Sequence, residues 1–340
     1  MSASLAPLRT RMLPLLAVLF GAPIAAEYLQ GYMSSTGQAL EILGSLLILG
    51  PLYGGAALLI REVAVRAGMG WSGVALLAAA FGLAMPGLID LALFAEHRPE
   101  ITYWDQMRNT TLIPALGISA YATLSWVAAH VIMSICAPLA LLSALAPRHR
   151  GRPLLGPVGI VALAILWILA AIFIRMDGID MYGYRPSLGQ SAVVAAVVVA
   201  MAALAWTRLG RPVRPARTPA EARRIPRPIL PILGAIAIMV FDMIPWTWPG
   251  TAALAVLLAG ATTALRFAGR YLRWTPTDIG LLAAGALVGR AVIGFMAPLT
   301  EGVSRQAVVA QNSILLCATL VIVWLVQRRA DAPDRGVPQE

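Results

Sequence analysis

Five ionisable side chains interrupt apolar stretches of this sequence, and they are the residues best placed to do chemistry. They are Glu27, Asp90, His130, Arg290 and Glu301. A charged group inside hydrocarbon is costly, so such a residue is expected to pair with another polar group or to serve a ligand. Together they offer carboxylate acceptors, an imidazole and a guanidinium. They predict a polar cluster that binds or moves a small molecule or a lipid.

The depth of these residues follows from their positions along the apolar segments. A helix rises about 1.5 Å per residue, which puts Asp90 roughly 6 Å and Arg290 roughly 13 Å from the ends of their segments. His130 lies near the middle of a long segment. Glu27 lies near a segment end, and Glu301 lies just past one. We therefore expect the cluster in the midplane and outer half of a membrane.

Each of the five residues also has a purely structural explanation. Glu27 and Glu301 can mark helix ends in water, Asp90 can reach the headgroups, and His130 can donate a hydrogen bond to a backbone carbonyl. Arg290 is different because a guanidinium does not lose its proton in a protein. An unpaired charge at that depth costs at least about 2.5 kcal/mol. We expect it to pair with Glu301, Asp90 or Glu27, and a salt bridge explains that pairing as well as an anion site does.

The composition requires a membrane environment. The chain has 340 residues, of which 59% are hydrophobic and 12% charged, with a mean hydropathy of +0.78. Soluble domains carry about 25% charged residues. All 26 basic residues are arginine, which excludes chemistry based on a lysine amine. The two cysteines, Cys136 and Cys317, lie in apolar runs without metal-binding spacing, so we expect no metal and no cofactor.

Hydropathy and segment length predict an all-α polytopic transmembrane helix bundle of about ten spans. The predicted spans are Met12–Gly31, Leu40–Ile60, Trp71–Phe94, Ile113–Leu142, Gly156–Ile174, Gln190–Trp206, Pro228–Ile244, Thr251–Arg266, Asp278–Leu299 and Val308–Val326.

The arginines predict the orientation of these spans. Most of them fall in alternate connections, beginning with the N-terminal segment. The positive-inside rule then places both termini in the cytoplasm and the protein in the cytoplasmic membrane of a bacterium. This distribution also explains the net charge of +10 without nucleic acid as a partner.

An arginine- and proline-rich segment divides the chain. We expect a six-span part at residues 1–208, a cytoplasmic linker at 209–227, a four-span part at 228–327 and a disordered cytoplasmic tail at 328–340. The linker is poor in apolar residues and is expected to be poorly ordered. It either binds anionic lipid headgroups or serves as a solvated topology anchor.

A second charged group lies at the end of the second span, in the sequence LLIREVAVRAG. Glu62 and Arg66 are four residues apart and so share one helix face, with Arg61 adjacent. This spacing predicts a clamp at the membrane interface.

Four stretches in the first 150 residues carry a family resemblance: EYLQGY, PLYGGAALLIREVAVRAGMGW, AFGLAMPGLIDLALF and ISAYATLSWVAAHVIMS. They resemble a set of uncharacterised bacterial multi-pass membrane proteins, chiefly from actinobacteria. Those proteins distantly resemble the CAAX-protease and bacteriocin-processing family, in which paired glutamates and histidines activate water. On that resemblance His130 matches a family histidine, with Ser134 four residues later. The glutamate pair falls at Met85 and Pro86, and the family arginine falls at Asp90.

This resemblance implies a polar site that has lost its catalytic base, because neither methionine nor proline can accept a proton in catalysis. No other catalytic motif is evident in the sequence. Three functional classes follow, in order of preference. They are a non-catalytic membrane protein that binds or transports a small molecule or lipid, a diverged intramembrane protease or other membrane enzyme, and a membrane scaffold.

Overall fold

The computed structural model describes residues 5, 7–98, 101–216 and 222–331. These residues form eleven helices and one two-stranded hairpin. The helices are α1 Leu8–Tyr28, α2 Ala39–Ala67, α3 Trp71–Ile89, α4 Trp104–Asn109, α5 Ala120–Leu145, α6 Pro157–Tyr182, α7 Leu188–Leu204, α8 Ile229–Met243, α9 Trp248–Tyr271, α10 Pro276–Gly294 and α11 Arg305–Asp331. The strands are β1 Leu112–Ile113 and β2 Ile118–Ser119.

The predicted all-α membrane bundle is confirmed. Eight of the described helices are long and apolar enough to cross a membrane, and the two shorter apolar helices are α7 and α8. Each of the ten predicted spans overlaps one of these ten helices. Only α4 had no counterpart among the predicted spans.

Several predicted boundaries were wrong, and three of them have an identifiable local structure. Helix α3 ends at Ile89 rather than at Phe94, because the chain turns at Asp90 and Leu91 adopts a positive φ of 63°. Helix α5 begins at Ala120 because residues 112–119 form the hairpin instead. Helix α11 continues to Asp331, inside the predicted tail, whereas residues 332–340 lie outside the described part of the chain.

Helices α1, α2, α3 and α5 each contain a π-helical turn. These turns are Ile24–Tyr28, Gly50–Gly54, Met85–Ile89 and His130–Cys136. Two of them contain a proline near their start, and proline cannot donate a backbone hydrogen bond. The turn in α5 contacts the turns in α1 and α2, and it also contacts α3 and α10. The π turns of α1, α2 and α5 therefore meet inside the bundle, and such turns are frequent at functional sites.

The predicted clamp at the end of α2 is confirmed and anchors the connection between α5 and α6. Glu62 is 1% exposed, and its carboxylate accepts hydrogen bonds from Arg61 and Arg66 on its own helix. The same carboxylate accepts the Leu154 N–H at 2.8 Å. Arg61 donates to the backbone carbonyls of His149 and Arg152, at 2.6 and 2.9 Å. We call this side of the molecule the arginine-rich end and the other side the opposite end.

Both described flanks of the linker form hydrogen bonds with other parts of the chain. The Gly210 carbonyl accepts the Gly70 N–H at 2.9 Å, between α2 and α3. Farther along, Arg273 N–H donates to the Arg223 carbonyl at 2.9 Å. Buried Asp278 at the start of α10 lies 3.6 Å from Arg224 and 3.5 Å from Arg227. Residues 217–221 lie outside the described part of the chain.

At the opposite end, residues 90–98 and 101–119 form a cap between α3 and α5. Residues 91–95 are all buried, and Trp104 of α4 stacks on Trp126 of α5 with ring centroids 5.7 Å apart. Tyr103 stacks on Trp246, which follows α8, at 5.4 Å. Arg98 donates to the Tyr182 hydroxyl at 2.5 Å and so ties the cap to the end of α6. Aromatic side chains of this kind are enriched at membrane interfaces.

Helices α8 and α10 pack backbone against backbone. A Cβ at Gly285 would collide with the Pro231 carbonyl oxygen, and one at Gly234 would collide with the Leu282 carbonyl oxygen. Small residues at crossings allow the close approach that stabilises helix pairs in membranes.

Gly285→Ala is expected to lower the free energy of unfolding by about 1–3 kcal/mol, because the added methyl has no room. The control is Gly44→Ala in α2, where a Cβ meets nothing within 4 Å. That change is expected to be neutral or stabilising. Thermal unfolding of the detergent-solubilised variants compares them, and equal melting temperatures would contradict this packing.

Candidate functional site

The centre of the site is the Glu27 carboxylate, in the π turn that ends α1. It accepts a hydrogen bond on each oxygen, one from the Tyr32 hydroxyl and one from the Tyr53 hydroxyl. Tyr53 comes from the π turn of α2, and Tyr32 follows α1. An ionised carboxylate has about four acceptor positions, so two remain for another donor.

His130 joins the site through the ring of Tyr53. The two rings stack with centroids 5.8 Å apart and planes 25° apart. Phe81 of α3 contacts both edge-on, at 6.1 Å from Tyr53 and 5.7 Å from His130. His130 Nδ1 and Ser134 Oγ share a hydrogen bond of 3.0 Å. The hydrogen bond and stacking together fix the imidazole ring, and Tyr53 links it to Glu27 in a single chain of contacts.

The site lies inside the bundle yet is not sealed. The π turn that carries His130 contacts four surrounding helices, so its side chain faces the interior of the protein rather than lipid. Glu27, Tyr32 and His130 nevertheless remain partly accessible, whereas Tyr53 is 4% exposed. A small cavity of about 10 Å³ lies above Tyr32, between Tyr103 of the cap and Thr300. That volume is close to the minimum for one water molecule.

The Tyr32 phenol lies beyond the end of α1 and stays protonated. Burial and the adjacent Glu27 carboxylate raise the pKa of Tyr32 well above its usual value. It therefore donates its hydrogen bond to Glu27 throughout the physiological pH range.

Arg290 pairs with a carboxylate that the sequence analysis did not consider. Its guanidinium donates to Asp242 of α8, and the two side chains are 5% and 6% exposed. The predicted partners Glu301, Asp90 and Glu27 were therefore wrong. Asp242 is the penultimate residue of α8. A carboxylate at the end of a span is ordinarily expected to contact lipid headgroups, so the sequence alone does not mark it as a buried partner.

Asp90 and Glu301 have different surroundings from the other predicted residues. Asp90 ends α3, and its carboxylate accepts the Ala92 N–H at 2.9 Å, which turns the chain into the cap. Glu301 is exposed in the connection between α10 and α11. The structure thus links Glu27 to His130 through Tyr53, pairs Arg290 with Asp242, and gives Asp90 a turn-forming contact.

The arrangement offers hydrogen-bond acceptance and aromatic surfaces. Met85, at the position of the resembled family's glutamate pair, is 1% exposed in the π turn of α3 and supplies no base. Among the described residues, no three His, Cys, Asp or Glu side chains are grouped so that they could hold a metal ion. Tyr32 and Tyr53 were missed by the sequence analysis because it searched for charge. The signal was present, since EYLQGY and PLYGG each place a tyrosine beside a helix break.

Comparisons with known proteins place the chain in a family. Neither the curated proteins nor the solved structures contain a match. A family model described as an uncharacterized membrane protein family matches residues 15–330. That match covers most of the chain, including every residue of the site described above. The chain therefore belongs to this uncharacterised membrane protein family.

Proposed function

We propose that this protein binds a small molecule that carries a cationic or hydrogen-bond-donating group, and that it moves this solute through the membrane. The observation that supports the proposal is the Glu27–Tyr53–His130 chain, built where three π turns meet. Its carboxylate has acceptor positions left, and its aromatic faces can stabilise a cation.

The π turns support movement as well as binding. Transport proteins commonly build their sites near the bilayer midplane where helices depart from regular α geometry and their backbone can line a cavity. Here four of the first five long helices contain a π turn, within the helix in α2 and α5 and at its last turn in α1 and α3. A diverged intramembrane protease would need a base near His130, and the residues at positions 85 and 86 provide none.

The proposal predicts that water-soluble reagents reach His130. Cys136 and Cys317 are replaced with alanine, which leaves a chain without cysteine, and His130→Cys is introduced. A membrane-impermeant cationic methanethiosulfonate should modify this cysteine in vesicles. Met133→Cys is the matched control, because Met133 lies in the same π turn but is 1% exposed, so it should stay unmodified.

The membrane face from which the reagent modifies the cysteine distinguishes solute binding alone from solute transport. Modification from both faces, in right-side-out and inverted vesicles, supports a site that alternates between the two sides, as transport requires. Modification from one face only supports binding without transport. If His130→Cys reacts no faster than Met133→Cys, the interior is closed, the solute proposal fails and a scaffold role gains support.

A further inference from the structure

A groove lies on the surface of α9, separate from the Glu27–His130 site. Helix α9 is peripheral, since only 11% of its most apolar 18-residue stretch is buried. An open groove of about 760 Å³ runs along it, from Val256 to Leu272. Its other wall includes Ile225 of the linker. Apart from Thr263, the residues that line it are apolar or glycine.

The backbone explains why the linker forms one wall of this groove. Arg223 pairs with Leu272 in a parallel bridge, and the Ala216 N–H donates to the Arg270 carbonyl at 2.7 Å. These bonds hold the linker beside the last turn of α9. From Val256 to the end of α9 at Tyr271 the groove extends roughly 22 Å along the helix, which is about the depth of one leaflet including its headgroups.

Exposed arginines flank the arginine-rich end of the groove, as sequence neighbours of its lining residues or through the Arg223–Leu272 backbone bridge. They are Arg223, Arg266, Arg270 and Arg273. Asp278 is the nearby buried carboxylate, and it is engaged by Arg224 and Arg227 instead. Within the described residues no carboxylate forms an ion pair with any of the four. The groove therefore joins an apolar channel of one leaflet's depth to a group of exposed positive charges.

We propose that this groove binds one anionic phospholipid, with an acyl chain along α9 and the phosphate at Arg223, Arg270 and Arg273. Charge complementarity selects the headgroup, because basic residues near the surface attract anionic lipids. The length and apolar lining of the groove favour binding of the acyl chain of the lipid. The linker that joins the two parts of the protein would then be fixed to α9 partly through a lipid.

The test measures lipid retention by native mass spectrometry after purification with phosphatidylglycerol or with phosphatidylcholine. Wild-type protein is expected to retain one phosphatidylglycerol at least tenfold more strongly than phosphatidylcholine. The triple variant R223Q/R270Q/R273Q should lose that preference. The triple variant R9Q/R148Q/R208Q removes the same charge from exposed arginines elsewhere at this end and should keep it.

The apolar part of the site has its own test. Gly260→Phe should fill the groove and release the lipid, while Gly44→Phe should not. Both glycines are helical and a Cβ at either meets nothing within 4 Å, so neither change should prevent folding. Equal retention of the two lipids, or equal loss in both arginine variants, would overturn the proposal. The proposal would also be overturned if the protein forms a dimer that Gly260→Phe dissociates while lipid retention stays unchanged. The groove would then be an interface between two copies of the chain.

Discussion

Asp242→Ala should lower the free energy of unfolding by about 3–5 kcal/mol, because it leaves the Arg290 guanidinium buried without its carboxylate. Both side chains are almost fully inaccessible, and Arg290 cannot become neutral. Arg290→Ala should cost a similar amount. The melting temperature of the purified protein in detergent, together with the yield of folded protein, measures both effects.

The double variant D242L/R290M tests whether the stability is lost because one charge is left unpaired or because the ion pair itself is absent. Replacing a whole buried ion pair with apolar residues is often neutral or stabilising. The double variant should therefore recover most of the stability that either single alanine variant loses. Glu301→Ala is the control, since Glu301 is exposed and was one of the partners expected from the sequence. Additive losses in the double variant, or a large loss in Glu301→Ala, would refute the Asp242–Arg290 pairing.

Glu62→Gln should also destabilise the protein by about 3–5 kcal/mol, because it removes the charge that compensates buried Arg61. Glu62 accepts three hydrogen bonds, and Arg61 in turn holds two carbonyls of the connection between α5 and α6. Loss of the carboxylate should therefore loosen that connection as well. Limited proteolysis near residues 146–156 and the melting temperature report the two effects separately.

Glu41→Gln is the matched control for this change, since it is the same substitution at an exposed position of the same helix. It should leave both readings unchanged. If Glu62→Gln behaves like Glu41→Gln, the clamp does not stabilise the fold.

The fold was largely predictable because hydrocarbon imposes a simple rule on sequence. Each predicted span became a helix, since a backbone in lipid must satisfy its own hydrogen bonds. The predicted span boundaries were wrong where local hydrogen bonding ends a helix inside an apolar stretch. Residues 91–95 are as apolar as the span before them, but the Asp90 side chain takes the Ala92 N–H and directs the chain into the cap. Hydropathy carries no information about that turn.

The site was predictable only in part. Position within an apolar run identified Glu27, His130 and Arg290 as unusual, and each has a specific partner in the structure. The partners themselves depend on how helices rotate and cross, which one sequence does not specify. Tyr53 lies 26 residues from Glu27 along the chain, and Asp242 lies 48 residues from Arg290.

That separation of 48 residues has a consequence for biosynthesis. Helix α8 has 15 residues, so it is roughly 22 Å long and shorter than the hydrocarbon core of about 30 Å. It also carries Asp242 near its end, where an aspartate opposes insertion by less than the about 2.5–3.5 kcal/mol that it costs at a helix centre. The ribosome completes α8 well before it makes Arg290. We therefore expect α8 to wait at the translocon until α10 arrives, so that the two helices enter the bilayer as a neutral pair.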